Sequence, residues 1–595
     1  MNYTSKQIID TFLSYFIKNK HTQIPNKNLI PKSDPTLLFI NSGMAPMKNV
    51  FLGAEAPVAS RMCNVQTCIR TNDIESVGDR HHLTCFHMLG SWSINDYEKK
   101  QAIEFAFELL TKGFGIPKEK LFATAFMGDK KRNLPADTES IECWKGVGVE
   151  DSHIIKLSFE DNFWRMGDGE GPCGPCTEMF YDTGSGHGED VTKTGKFDDK
   201  KRYLEIWNAG VFMEYFQHLD GTYSKLKFKS IDTGAGVERF LLTLNGCESI
   251  YDTEVFAPII RYIEENAKDY NDKSARIISD HIRASIYILN SGLDPSNVRA
   301  GYILRNLIRR SLRHARTIGL TDENVRNIVE LTLDNAQKIG LAPSFDIIDR
   351  KTIVSKLIQE QEKFSKTLEM GLKIFRELIA DAGNIKNGKF DGAQVFRLYD
   401  TFGFPFEITK ELCDEQGIEI SEKDFNEYLE KHKELSRGGS DAVFKSGLSG
   451  TDPQTIKLHT ATHLLHAGLK KVLGDKVNQM GSNITPERLR FDFNFERKVL
   501  PEELVLIEQF VNAAIAQKID VARLEMTPDE AKKSGAIGLF DSKYGDVVSV
   551  YKIGNISFEI CSGPHVQNTY ELGKFRIAKE ESSSANVRRI KAVLE

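Results

Sequence analysis

The sequence predicts a multidomain α+β protein, and three observations carry that prediction. Residues 1–250 mix short strand-like runs with helical ones and hold most of the glycine-punctuated, aromatic-rich loops. From 251 to 436 the pattern changes to long apolar stripes at helical spacing. After a Gly/Ser-rich flexible junction at 437–452, residues 453–595 return to a mixed α/β pattern. A chain of 595 residues has room for about three or four domains of ordinary size.

Each element has a local reason. Thr4-Ser5-Lys6-Gln7 can form a capping box, and Ile9, Phe12, Leu13, Phe16 and Ile17 then recur at helical spacing. Lysines interrupt any signal-type apolar core, so this is the first helix of a folded cytoplasmic protein. Pro35–Ile40 and Arg202–Trp207 read as strands bounded by turn residues. In the second segment Ile353, Leu357, Phe364, Leu368, Leu372 and Phe375 mark one apolar stripe. The third opens with a helix around Ile456–Leu473.

Composition narrows the function classes. Hydrophobic residues at 40% and charged residues at 27% exclude a largely disordered chain. No apolar run approaches the roughly 18 residues of a membrane helix. Lys+Arg 78 against Asp+Glu 84 leaves −6, so local charge must reveal any polyanion partner. The nine scattered cysteines form no disulfide framework and leave thiols available for metal in a reducing compartment.

Asp232-Thr233-Gly234-Ala235-Gly236-Val237-Glu238-Arg239 runs into the apolar Phe240-Leu241-Leu242. Such glycines let backbone approach a ligand, and the arginine then projects from a helix start, where it can hold a phosphate bidentately. Taken alone, the stretch fits a tight strand–helix turn with a surface arginine equally well. Cys173-Gly174-Pro175-Cys176 spells a redox tetrapeptide, but it leads into the strand-like Thr177–Tyr181 rather than a helix, so a redox role is rejected.

Other constellations change the balance. Arg70 follows the strand-like Asn64–Ile69, and a polar loop leads to Arg80-His81-His82 and Leu83–Leu89. Upstream lies Asp34–Phe39 with Asn41-Ser42-Gly43-Met44; downstream come Asp161-Asn162-Phe163-Trp164, Gly171–Glu178 and Glu205-Ile206-Trp207-Asn208. Together and in this order they resemble the signature motifs of class II aminoacyl-tRNA synthetases, specifically of the alanyl-tRNA synthetase family. The resemblance implies an antiparallel catalytic sheet with flanking helices, a helical tRNA-binding domain, and a small zinc-binding α/β editing domain. It implies ATP with Mg²⁺, L-alanine and tRNA(Ala) as ligands. Arg70 would face the α-phosphate and Arg239 the triphosphate tail, with Arg80 a further candidate and Met88 in the same ATP-binding region. Asp232 would pair with the alanine ammonium, while Trp164, Val211 and Gly234 would line a pocket for its methyl group. One position departs: Phe86-His87-Met88 has histidine where the family usually shows glutamate.

In the second segment Arg299, Arg305, Arg309, Arg310, Arg313, His314 and Arg316 crowd together, with Arg305, Arg309, Arg313 and Arg316 along one helical face. Tyr302, Ile303, Leu307 and Ile308 supply the expected buried side. An arginine stripe without interleaved glutamate repels itself, which favours phosphate contact over an ordinary solvated face. The family reads a G·U pair of the tRNA acceptor stem with this region. By resemblance Asp400 would take part, and Arg299 stands nearest the place where an asparagine is common.

In the third segment His459-Thr460-Ala461-Thr462-His463 sets two imidazoles at i and i+4, and Cys561-Ser562-Gly563-Pro564-His565 adds a thiol and a third imidazole. Four such ligands suit tetrahedral Zn²⁺, catalytic or structural. Thr460 stands where a zincin would need glutamate. His466 is a rival ligand, better placed for packing or capping. The segment from Lys457 onward, including Val477–Ser482, Arg490–Phe493 and Ser583–Ile590, resembles the family's editing domain, which implies that Gln479 faces the metal cavity. Editing has a physical reason, since a methyl-sized pocket rejects glycine and serine poorly. The family's barrel subdomain between helical and editing parts and its C-terminal domain have no counterpart here, so a compact, monomeric form is expected.

Overall fold

The computed structural model describes residues 2–595 apart from 32–36, 166–168, 199–201, 344–346, 387, 442–451, 539–546, 562 and 585–586. The chain forms two compact units, one comprising Met1–Ala380 with Leu398–Leu412, the other Asp381–Arg397 with Cys413–Glu595.

The first unit is organised by a sheet whose described strands are β1 (Thr22–Gln23), β2 (Arg61–Ile69), β3 (Cys85–Ile94), β4 (Leu121–Phe126), β5 (Ile154–Leu157), β6 (Phe163–Arg165), β7 (Gly171–Asp182), β8 (Tyr203–Gln217) and β9 (Tyr223–Gly236). Their order is β1-β2-β3-β9-β8-β7-β4-β5, with β6 on β7. Central pairs are antiparallel, but β1 and β5 join the edges in parallel, so the sheet is mixed rather than wholly antiparallel. The helix Ser5–Lys18 carries the expected capping box between Thr4 and Gln7 and buries Ile8, Phe12 and Phe16 against the sheet core.

The strand expected at Pro35–Ile40 is not seen among its described residues. Asp34, Pro35 and Thr36 lie outside the described residues, and Leu37–Ile40 is irregular. Phe39 and Ile40 are nonetheless buried, and Ile40 satisfies its backbone by bonding Leu29 and Ile69 singly.

The helices Asp272–Asn290, Arg299–Thr317, Asp322–Lys338 and Arg350–Ala380 follow. The last buries Ile353, Leu357, Phe364, Leu368 and Phe375 of the expected stripe, and Leu372 only partly. Their core also takes in Leu29, Phe39, Ile69 and Cys85, which is why sheet and helices form one compact unit.

In the second unit, the helix Glu422–Asp441 runs into the stretch the sequence marks as a junction; residues 442–451 lie outside the described ones. The helix Pro453–Leu473 packs with Pro501–Ala516 over a sheet ordered Gln479–Thr485, Arg488–Asn494, Val587–Leu594, Phe575–Ser584. A three-stranded sheet of Val521–Met526, Val548–Ile553 and Ser557–Ile560 completes it.

Candidate functional sites

Strands β3, β8 and β9 form the floor of a cavity of about 320 Å³ in the first unit. Side chains alternate across a strand, so Met88 on β3 and Asp232, Gly234 and Gly236 on β9 share the cavity side. On β8 the phase changes: Ile206 and Asn208 line the cavity, and so does Val211, because the pairing with β9 shifts register between Asn208 and Val211. The irregularity sets Val211 opposite Asp232. Trp164 from β6 and Glu178 from β7 form further wall. A Cβ on Gly234 would lie 2.8 Å from Met88 Sδ, so glycine there preserves the space.

Asp232 is the centre of this floor. Its Oδ1 accepts a hydrogen bond of 2.6 Å from the indole N–H of Trp92, which is fully buried. Burial pushes the Asp232 carboxyl up to about 7, and the indole bond opposes the rise only in part. A carboxylate so placed favours any ligand cation that can share its charge. No local pattern around Trp92 marks it; strand pairing of Trp92 with Asp232 is what makes it matter.

Arg239 projects from the first turn of the helix Val237–Leu244 and lines the cavity. Its Nη1 donates to the Glu205 carboxylate at 2.7 Å and to the Glu205 carbonyl at 2.9 Å. Arg70 also lines the cavity, exposed, its guanidinium 4.9 Å from the Phe86 ring centroid. Arg80 is not brought to the wall; its exposed side chain meets Glu248 at 3.6 Å. Glu178, Glu205 and Asn208 of the motifs join the wall, as do Asp73, His81 and His82.

His87 has a clear structural place. It alternates away from Phe86 and Met88 and is buried beside Glu238 and Arg283. Glu238 Oε1 lies 3.0 Å from His87 Nδ1 and 2.5 Å from Arg283 Nη2. Burial works against the Glu238 charge, but Arg283 and His87 outweigh it and hold the carboxyl down at about 2. The histidine therefore braces strand β3 against two helices and does not face the ligand space.

The arginine helix Arg299–Thr317 requires a correction. Its cations do not lack counter-charges, because other helices supply them. Glu360 meets Arg305 at 3.2 Å and Arg309 at 3.0 Å; Glu411 meets Arg310 at 2.9 Å, Arg313 at 3.3 Å and His314 at 3.0 Å. Arg313 is only 2% exposed and belongs to the interior. Leu307 and Ile308 are buried as expected, whereas Tyr302 and Ile303 are half-buried and the Tyr302 hydroxyl donates to Glu407. Arg299 and Asp400 are exposed.

In the second unit His459, His463, Cys561 and His565 converge, with one ligand atom from each within 4.8 Å of the others. The helix Pro453–Leu473 presents both early histidines on one face, and the turn after the strand Ser557–Ile560 brings the other pair; Ser562 lies outside the described residues. Cys561 Sγ is 3.3 Å from His459 Nε2. Two outward nitrogens are engaged: His459 Nδ1 lies 3.1 Å from the Pro564 carbonyl, and His565 Nδ1 lies 3.1 Å from the Thr460 hydroxyl. His565 Nε2 is buried without a hydrogen-bond partner. Burial disfavours a Cys561 thiolate, but the three surrounding imidazoles outweigh this and lower the thiol well below its ordinary value. A thiolate and three inward imidazole nitrogens, one of them orphaned, fit a tetrahedral Zn²⁺. His466 is outside this set and packs tilted against Phe491, at 5.5 Å between centroids. Gln479 is half-buried at the start of its strand and donates to Ser482 Oγ at 3.0 Å.

Comparison with known proteins accords with this geometry. Residues 7–471 match the family described as tRNA synthetases class II (A), and residues 548–591 match the threonyl and alanyl tRNA synthetase second additional domain. The chain thus carries the catalytic fold of a class II aminoacyl-tRNA synthetase. Alanine–tRNA ligase of Treponema denticola is 44% identical over 100% of this chain and 99% of its own length. That of Borreliella afzelii is 43% identical over 98% of each, and that of a Thermotoga strain 36% over 99% of this chain and 80% of its own length. The chain belongs to the alanine–tRNA ligase family. Among the described residues, no helix is long and apolar enough to cross a membrane.

Proposed function

We propose that the first unit joins L-alanine to AMP and passes it to tRNA(Ala), and that the second unit hydrolyses mischarged seryl- and glycyl-tRNA(Ala). The observation that carries the first part is Asp232, a carboxylate set into a small cavity beside Val211, Trp164 and Gly234. There it would receive the alanine ammonium, and the space left around Gly234 would take a methyl group. The amino acid's carboxylate would then attack the α-phosphate of ATP and expel pyrophosphate. Charge grows on the phosphoryl oxygens in that step, so Arg70 and Arg239, with the Mg²⁺ that accompanies ATP, would stabilise it. Arg239 would exchange Glu205 for phosphate as the nucleotide enters.

On the helical part, Arg299, Arg305, Arg309, Arg310 and Asp400 would meet the acceptor stem, with Glu360 and Glu411 fixing the guanidiniums in place. In the second unit His459, His463, Cys561 and His565 would hold one Zn²⁺, which supplies a Lewis acid for an ester when bound. Gln479 would contact the mischarged amino acid. We place the enzyme in the cytoplasm as a monomer; a stable dimer in sedimentation at low micromolar concentration would contradict the monomer.

ATP–pyrophosphate exchange with alanine, glycine and serine in parallel tests the reading. Exchange should be strongest with alanine and measurable with the other two. No exchange with alanine would leave a non-catalytic RNA-binding protein as the remaining description.

A further inference from the structure

Glu559 is a buried carboxylate in the second unit that the proposed function does not use. It sits on the strand Ser557–Ile560, two residues before Cys561. Strand alternation therefore sends Ser557, Glu559 and Cys561 to one side and Phe558 and Ile560 to the other. Opposite it, the helix Pro453–Leu473 presents His459, His463 and His466 along one face. Glu559 Oε2 lies 3.4 Å from His463 Nδ1, and Oε1 lies 3.3 Å from His466 Nδ1. The Ser557 hydroxyl donates to the same Oε1 at 2.9 Å.

We propose that Glu559 is a positioning residue of the metal centre: its carboxylate occupies Nδ1 of His463, so that Nε2 faces the metal, and His466 and Ser557 hold that carboxylate in place. The inference rests on reading the His459–His463–Cys561–His565 cluster as a metal centre. Two ligand imidazoles then hydrogen-bond an outer partner, a backbone carbonyl for His459 and a hydroxyl for His565, while His463 Nδ1 meets the Glu559 carboxylate in a charge contact of 3.4 Å without a hydrogen bond. Such partners fix the tautomer and ring orientation, and a carboxylate partner also makes the imidazole a stronger donor. Charge points the same way. A dication bound by one thiolate and three neutral imidazoles leaves one positive charge in a buried place, and Glu559 cancels it. His466 is thereby assigned to the support of the carboxylate and not to the metal.

The test uses the full-length chain and measures Zn²⁺ affinity by competition with a chromophoric chelator, together with the visible spectrum of the Co²⁺-loaded protein. Glu559→Gln should weaken zinc about 10- to 100-fold and alter the cobalt d–d bands. Glu559→Asp, which keeps the charge but shortens the reach, should recover part of that loss. Ser557→Ala should weaken zinc by about five-fold, as expected for one lost hydrogen bond. A brace between strand and helix without metal involvement would lower the melting temperature and leave both readouts untouched. Zinc affinity within two-fold of the parent and an unchanged cobalt spectrum in Glu559→Gln would overturn the proposal. Should that variant fail to fold, unchanged values in Glu559→Asp and Ser557→Ala would overturn it equally. A parent chain that takes up neither metal would instead remove the metal centre itself.

Discussion

Replacing Asp232 by asparagine should make the protein more stable and inactive at the same time. The carboxyl sits at about 7 in the folded chain against an ordinary value of 3.8. Between these values the folded state holds a proton that the unfolded state has released. Stability therefore falls as pH rises from about 4 to about 7, and the loss is complete above the folded value. A displacement of about three pH units corresponds to at most about 4 kcal/mol. Asparagine keeps an acceptor for the Trp92 indole but carries no charge, so it recovers part of this; its own buried amide leaves a net gain of about 1–3 kcal/mol at pH 8. At pH 4 the two proteins should unfold at nearly the same denaturant concentration. Alanine-dependent pyrophosphate exchange should fall by at least about 100-fold in the variant, because the ammonium has lost its counter-charge. In the parent, Kd for alanine should rise about ten-fold per pH unit below 7, since the acid form cannot pair with the ammonium. Urea unfolding at pH 4 and pH 8, with exchange assays across that range, reads every part of this. A variant less stable than the parent at pH 8, or one that retains exchange within a few fold, would refute the reasoning.

Gly234→Ala sends a methyl group toward Met88 and into the substrate space; KM for alanine should rise about 10- to 100-fold in steady-state exchange, with KM for ATP little changed. Arg239→Ala should cut kcat of exchange by about 100- to 1000-fold, and Arg239→Lys should recover only part of it, because an ammonium cannot repeat the bidentate contact. Arg313→Ala should lower stability by about 2–4 kcal/mol in urea unfolding, since it removes a buried cation and leaves half-buried Glu411 one counter-charge short; an effect confined to KM for tRNA would contradict its interior role. Cys561→Ala should drop bound zinc well below one ion per chain by elemental analysis and let seryl-tRNA(Ala) persist in a deacylation assay.

Features governed by neighbours in the chain were legible in the sequence. The Thr4–Gln7 capping box, the apolar stripe from Ile353 to Phe375, the glycine-bearing strand into the Arg239 helix, and the i, i+4 spacing of His459 and His463 all depend on contacts a few residues apart. The motifs that resemble the family fall in the same category, because Asp232, Gly234 and Arg239 lie on one strand–helix turn. Tertiary structure decided what long-range pairing controls. The register shift in β8 sets Val211 opposite Asp232, and strand pairing gives Asp232 the Trp92 indole. Glu360 and Glu411 lie roughly 50 and 100 residues from the arginines they neutralise, so a stripe that reads as uncompensated in sequence is paired in space. Arg80 follows the motif yet turns to Glu248, and His87 turns to Glu238 and Arg283. Sequence thus determined which chemical groups the protein owns and which short elements present them. Which of those groups face a ligand, and which spend their charge on one another, followed from distances that only the folded chain creates.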